Sequence, residues 1–247
     1  MVRFAHLFVA LPYLRFCGRT VQGYRIGSCL GIGGSGVTFE AVSPHGRLVA
    51  LKLLRPLRAS LDLDKVWREV GSLGAVSHSG VPEWLGILRE GRAYFIVLSR
   101  MPGRPLDSWL FEDRHAFQRS ELVEVCSQLI DVLDALHAVG LVHGDIRPAN
   151  VLYDGRRVSL VDFGLSLDAS ERAVDIAGFA DLLLYLLYST FDSSEGVSYK
   201  TESWRDQLLL DGAQQRFLDD AFERPQEFDE RKLYTRFVEA FAHEIEP

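Results

Sequence analysis

The sequence has little cysteine, no excess of positive charge and no long hydrophobic run, and each shortage closes off a class of function. Cys17, Cys29 and Cys126 are the only cysteines in 247 residues. No two of them stand at metal-ligand spacing, so they read as reduced thiols rather than a disulfide framework or a metal site. A formal charge of −7 gives no overall electrostatic footprint for DNA or RNA, and nucleic acid is not expected as a partner. No segment reaches the roughly 20 apolar residues that a spanning helix needs. The nearest run, 4–14, is broken by His6 and Pro12 and is followed by no small-residue cleavage site. Residues 1–20 are therefore expected to form an N-terminal extension packed on the first lobe. Weak contact of that extension with a membrane surface is the other reading. Internal repeats and long linkers are missing too, and a cytoplasmic location is expected.

With 47% hydrophobic residues the chain has material for one good core or two small ones. From Tyr24 onward the pattern is one of short strands, at 24–30, 37–42, 48–53, 87–90 and 94–99, separated by glycine-bearing or charged turns. Between the third and fourth lies a helical period over 63–76. Its Val66, Val70, Leu73 and Val76 fall on one face, with Asp62 or Asp64 available as a cap. After Pro102-Gly103 the texture changes to helices. Residues 121–139 carry an apolar stripe ending at Gly140, and 176–188 are apolar nearly all round, which predicts a buried central helix. Amphipathic segments follow at 203–210, 214–222 and 229–243. The spacing predicts an α+β chain in three parts: the extension 1–20, a strand-rich lobe 21–101 with one helix, and a mainly helical lobe 102–247.

The chemistry concentrates in 141–164, where an apolar strand, a polar turn and a second apolar strand lie close together. Asp145 and Asn150 are five residues apart and Asp162 follows twelve later. Such a set suits metal-assisted phosphoryl transfer: one carboxylate takes the proton of an attacking hydroxyl, while an amide and a second carboxylate hold Mg²⁺ on nucleotide phosphates. Gly31, Gly33 and Gly36 form a Gly-x-Gly-x-x-Gly arrangement that lets backbone N–H groups approach phosphate. A strand, not a helix, continues after it, which argues against a dinucleotide fold. Lys52 sits mid-strand among apolar residues, where a buried ammonium needs a partner. Glu69, in the expected helix, is the natural candidate, with Glu40 and Glu83 as others.

In order and spacing these residues resemble those of the eukaryotic-type (Hanks-type) serine/threonine protein kinases, across about residues 24–190. The resemblance implies a bilobal kinase-like fold, ATP and Mg²⁺ as cofactors, and transfer of the γ-phosphoryl group to a hydroxyl of an unidentified protein or small molecule. It implies roles as well: Asp145 as base, Lys52 on the phosphates and paired with Glu69, Asn150 and Asp162 on Mg²⁺, and Arg147 steadying the transferring group. Leu30, Ala50, Leu98 and Leu152 would line the adenine pocket, and main-chain groups of Ser99 to Met101 would pair with the adenine edge. Two features depart from the family pattern. Gly144 replaces an arginine that neutralises a phosphorylated activation loop. Asp175, which resembles the helix aspartate that braces the catalytic loop, comes only thirteen residues after Asp162 with no Ala-Pro-Glu motif between. That shortening is similar to the atypical RIO kinases. Small-molecule phosphorylation, partner-driven ATP hydrolysis and a nucleotide-binding pseudokinase are the alternative readings. Retention of Asp145, Asn150 and Asp162 together argues against the last.

Overall fold

A computed structural model describes residues 14–32, 36–54, 71, 74–163, 167–168, 171–190 and 203–242. The chain divides into two compact units, one of residues up to 77 with 81–101, the other of 78–80 with 102 onward. The fold is α+β.

The first unit is built on a six-stranded antiparallel sheet: β1 (Thr20–Val21), β2 (Tyr24–Ile32), β3 (Gly36–Val42), β4 (Leu48–Leu54), β5 (Trp84–Glu90) and β6 (Ala93–Ser99). The spatial order is β1-β2-β3-β4-β6-β5. Alternation in β3 buries Val37, Phe39 and Ala41 on one face, where they meet Val49, Leu51 and Leu53 of β4, Phe95 and Val97 of β6, and Phe16 and Ile26. The sheet curls until its outer strands meet, and Gln22 Nε2 donates to the Arg89 carbonyl at 2.7 Å. β5 begins three residues earlier than expected because a register shift between Trp84 and Gly86, where Gly86 has φ of 146°, breaks the period-two pattern. Of the helix expected over 63–76, residues 71, 74 and 75 are helical and Val76 is not. The remainder lies outside the described residues.

The second unit holds α1 (Arg119–Ala138), α2 (Arg172–Tyr188), the short α3 (Trp204–Gln207), α4 (Gly212–Glu223) and α5 (Glu230–Phe241). A π-helical turn, Ser108–Glu112, precedes α1. β7 (Arg104–Pro105), β9 (Val151–Tyr153) and β10 (Val158–Leu160) form one small sheet, and β8 (Leu141–Val142) pairs with β11 (Leu167–Asp168) in another. α1 buries Leu122, Val125, Leu129, Val132, Leu133 and Leu136, each contributing about 1.5–3 kcal/mol of transfer free energy. Edge-to-face contacts join Phe179 of α2 to Phe217 of α4 and Phe237 of α5. Asp211 caps α4 through a full capping box with Gln214. Residues 78–80 are held here: Leu160 N donates to the Gly80 carbonyl at 2.8 Å, and His78 Nε2 lies 3.0 Å from Asp131 Oδ2.

Two expectations are corrected. The helix expected over 203–210 is a single turn, because Leu208 leaves it with extended backbone and is buried while Leu209 is exposed. The helix expected to be buried all round is buried on one side only. Residues 175, 176, 179, 180, 182, 183 and 186 of α2 face the core, but Val174, Asp181 and Tyr185 are exposed.

At the start of the second unit, Gly103 has φ of 86°, and a Cβ there would lie 2.5 Å from the Tyr153 carbonyl carbon. Gly103→Ala adds backbone strain to a clash with β9 and is expected to lower stability by about 2 kcal/mol. Urea unfolding of wild type and variant measures the loss.

Candidate active site

In the first unit the glycine hairpin is β2 and β3, with Gly31 opposite Thr38. A Cβ on Gly31 would meet nothing within 4 Å, whereas one on Gly36 would lie 2.2 Å from the Leu53 carbonyl oxygen. The close approach of β4 therefore requires Gly36, a packing reason beside the phosphate reason. Gly33 lies outside the described residues. Lys52 is only 4% exposed and stands on β4 between Thr38 and Ile96. Both alternative acids are engaged by arginines: Glu40 lies 3.5 Å from Arg100 and Glu83 lies 3.1 Å from Arg47. Glu69 falls outside the described residues. Ala50 is buried and pairs with Leu98, and Leu30 is half-buried on β2. The Ser99 N–H already donates to the Glu83 carbonyl at 2.8 Å, and the Met101 carbonyl accepts from Arg100. These two main-chain groups are thus engaged within the chain.

In the second unit the turn between β8 and β9 carries Asp145, Arg147 and Asn150. Asn150 is buried, and its Nδ2 donates to the Asp145 carbonyl at 2.9 Å and to Asp145 Oδ2 at 2.8 Å. Committing the amide nitrogen in this way leaves Oδ1, an oxygen ligand, for a cation. The Asn150 carbonyl accepts from Val161 N at 2.9 Å, which ties the turn to the strand leading into Asp162. Asp162 adopts φ of 70°, a left-handed conformation that costs a non-glycine residue about 1 kcal/mol or more and that concentrates at functional positions. Leu152 is half-buried on β9 and Arg147 is exposed.

Asp175, in the first turn of α2, has no exposed surface. Its Oδ2 accepts from His143 N at 2.9 Å, its Oδ1 from Gly144 N at 2.8 Å, and His137 Nε2 lies 3.0 Å from Oδ2. Gly144 presents its N–H with φ of 78°, a conformation glycine adopts freely. His137 and His143 escape a reading based on motifs. The signal for them is a pair of histidines in apolar surroundings on either side of the Gly140 turn, which marks structural imidazoles. Asp145 N donates to His143 Nδ1 at 3.2 Å, so Nε2 carries the proton and donates to the Val161 carbonyl at 3.0 Å. Burial pushes this imidazole below its ordinary pKa, against the pull of Asp175, Val161, Asp162 and Asp145.

Among the described residues no cluster of three His, Cys, Asp or Glu is placed to hold a metal alone. An amide oxygen and one carboxylate fit Mg²⁺, which keeps several waters and takes substrate phosphates as its other ligands. The second unit thus carries an aspartate bonded to a buried amide and a left-handed aspartate, and the first a buried lysine on the strand beside a glycine hairpin, the residue types that a phosphotransferase of the kinase class uses. The family model for the protein kinase domain matches residues 24–180, and the chain belongs to that family. It is 28% identical over 204 residues to a probable serine/threonine-protein kinase, YbdM, of Bacillus subtilis (strain 168), covering 76% of this chain and 77% of that one. It is 31% identical to mitogen-activated protein kinase kinase kinase 3 of Arabidopsis thaliana over 62% of this chain, spanning 24% of the plant protein. It is 28% identical to calcium-dependent protein kinase SK5 of Glycine max over 63% of this chain and 32% of that relative. The chain is a protein kinase, and a protein kinase domain uses ATP, typically with Mg²⁺.

Two outcomes follow from the buried network. Asp175→Asn replaces one acceptor oxygen by a donor facing a backbone N–H and is expected to cost about 2–4 kcal/mol, read as a lower urea midpoint. The second concerns pH. An unfolded histidine binds a proton near pH 6.5 that buried His143 declines, so its contribution to stability is complete above that pH and declines below it. The urea midpoint should fall more steeply between about pH 6.5 and 5 in wild type than in His143→Gln.

Proposed function

We propose that the chain is a cytoplasmic serine/threonine kinase whose transfer step is run by Asp145, with Arg147 steadying the transferring group. The observation that carries the reading is the 2.8 Å bond from Asn150 Nδ2 to Asp145 Oδ2. It holds the carboxylate in place while no other described residue bonds to it, so its second oxygen is left for an incoming hydroxyl. Mg²⁺, when bound, would supply positive charge against the nucleotide phosphates. Asn150 Oδ1 and Asp162 are its protein ligands in this reading. Lys52 takes the α- and β-phosphates and pairs with Glu69, while Gly31 and Gly33 offer backbone N–H groups to the phosphates. On the first unit, Leu30, Ala50 and Leu98 take the base, with main-chain groups of Ser99 to Met101 on its edge. Regulation by a phosphorylated activation loop is not expected, because Gly144 supplies no cation and only twelve residues separate Asp162 from Asp175. The boundary between nucleotide and acceptor lobes is placed at 101/102.

Asp145→Asn should lower kcat by about 10²- to 10⁴-fold with little change in ATP affinity, the signature of a lost proton acceptor. Incubation with labelled ATP and a whole-cell lysate supplies the readout, and transfer to metabolites but no protein would displace the protein acceptor. Calorimetric titration of ATP should show affinity that needs Mg²⁺ in wild type and no longer responds to it in Asp162→Ala. Equal affinity in all four conditions removes Asp162 from the metal site.

A further inference from the structure

We propose that an arginine-rich seam of the first unit, together with the apolar stretch just ahead of it, docks the chain onto an anionic phospholipid surface. The inference goes beyond the transfer reaction and does not depend on it. The seam lies where β1 and β2 meet β5 and β6. A two-residue turn at Gln22 and Gly23, with φ of 48° and 84°, folds β1 onto β2 and sets Thr20 opposite Arg25. Gln22 Nε2 then reaches the Arg89 carbonyl on β5 at 2.7 Å. Just before β1 the Phe16 ring stands edge-on to Phe95 of β6, with centroids 5.1 Å apart and both rings buried. Arg15, Arg19, Arg25, Arg89 and Arg92 lie within a few residues of these contacts, and all five are exposed. Arg15 rests on the Phe16 ring and Arg89 on that of Tyr94, where Arg89 Nε also donates to the Gly91 carbonyl. None of the five has a carboxylate partner among the described residues, and Glu90 is the one acid in 14–26 and 88–95.

Charge selects the face. The first unit carries thirteen Lys and Arg against six Asp and Glu, whereas the second carries fourteen against twenty-eight. An anionic surface therefore attracts the one unit and repels the other, although the chain as a whole is acidic. The stretch ahead of the seam selects lipid among polyanions. Phe4, Leu7, Phe8, Val9 and Leu11 run on to Leu14, which packs against the buried core of the first unit. This run is too short to span a bilayer, but it brings apolar side chains to the same end of the chain as the guanidinium groups. A bilayer surface takes both at once, headgroup phosphates on the arginines and acyl chains on the apolar residues. A nucleic acid would use the arginines alone. Either signal holds a protein weakly at the interface, and the two together hold it well.

The test is sedimentation of the full chain with sucrose-loaded vesicles, made of phosphatidylcholine alone or with about one third phosphatidylglycerol, in about 0.1 M salt. Wild type should partition at least about tenfold more strongly onto the anionic vesicles, and about 1 M salt should remove the difference. Arg19→Gln with Arg25→Gln should weaken anionic binding roughly 25-fold, at about fivefold per arginine. Arg231→Gln, an equal loss of charge at an exposed position of α5, should leave binding unchanged. Phe4→Ser with Phe8→Ser should weaken anionic binding about tenfold while keeping its response to salt. Arg19 and Arg25 are exposed and their side chains bond to no described residue, so the variant should fold, and a thermal melt checks that it does. Equal partitioning onto the two kinds of vesicle, or none onto either, overturns the proposal. So does an anionic preference undiminished in Arg19→Gln with Arg25→Gln, or binding indifferent to Phe4→Ser with Phe8→Ser. Retention of a double-stranded DNA probe without vesicle binding overturns it too and assigns the seam to nucleic acid.

Discussion

A carboxylate with no exposed surface needs hydrogen-bond donors around it, and Asp175 has three: two successive main-chain N–H groups and an imidazole. The dependence runs outward from there. Holding the N–H groups of His143 and Gly144 sets the path of the chain just before Asp145. His143 then accepts from Asp145 N and donates to Val161, one residue before Asp162. Asn150 closes the circuit through Asp145 on one side and Val161 on the other. The network consists of short, mutually oriented bonds, so a loss at any one node is felt at the Asp145 carboxylate. A helix from a different part of the chain thus positions Asp145, and it does so with its side chain rather than with its own dipole.

Much of this was legible beforehand, and for physical reasons. Period-two alternation located the strands of the first unit because one face of each is buried. The long apolar stripe of α1 located that helix because it packs on the core along its whole length. Where a local rule was broken, legibility stopped. The register shift at Gly86 hid the start of β5, and Leu208 ended α3 early because burying its side chain outweighed continuing the helix. The largely apolar sequence of 176–188 spoke of burial on every side, but composition cannot say which neighbours are missing. Asp145, Asn150 and Asp162 stood out as candidates because phosphoryl transfer uses those groups at those intervals. The imidazoles of His137 and His143 could not, since nothing in a buried histidine's sequence context names its partner.

The glycine hairpin shows how one residue can answer to two causes. Gly31 is open above its Cα, as a residue facing a ligand must be, while Gly36 is needed because β4 passes within touching distance. The acids near Lys52 in sequence show the reverse case, where several candidates compete and structure narrows them. Glu40 and Glu83 each face an arginine.

The short segment 78–80 has a consequence for how this chain is made. It belongs with the second unit, bonded to Leu160 and Asp131, yet the two strands that complete the first unit's sheet follow directly after it. A ribosome that has released the chain only as far as Met101 has delivered every strand of that sheet, but His78 and Gly80 still wait for Asp131 and Leu160, which emerge about thirty and sixty positions later. During synthesis β5 and β6 are therefore joined to the sheet before the turn that leads into them is anchored. A fragment ending at Met101 would remain in that condition, so the two units are separable as bodies but not as pieces of chain.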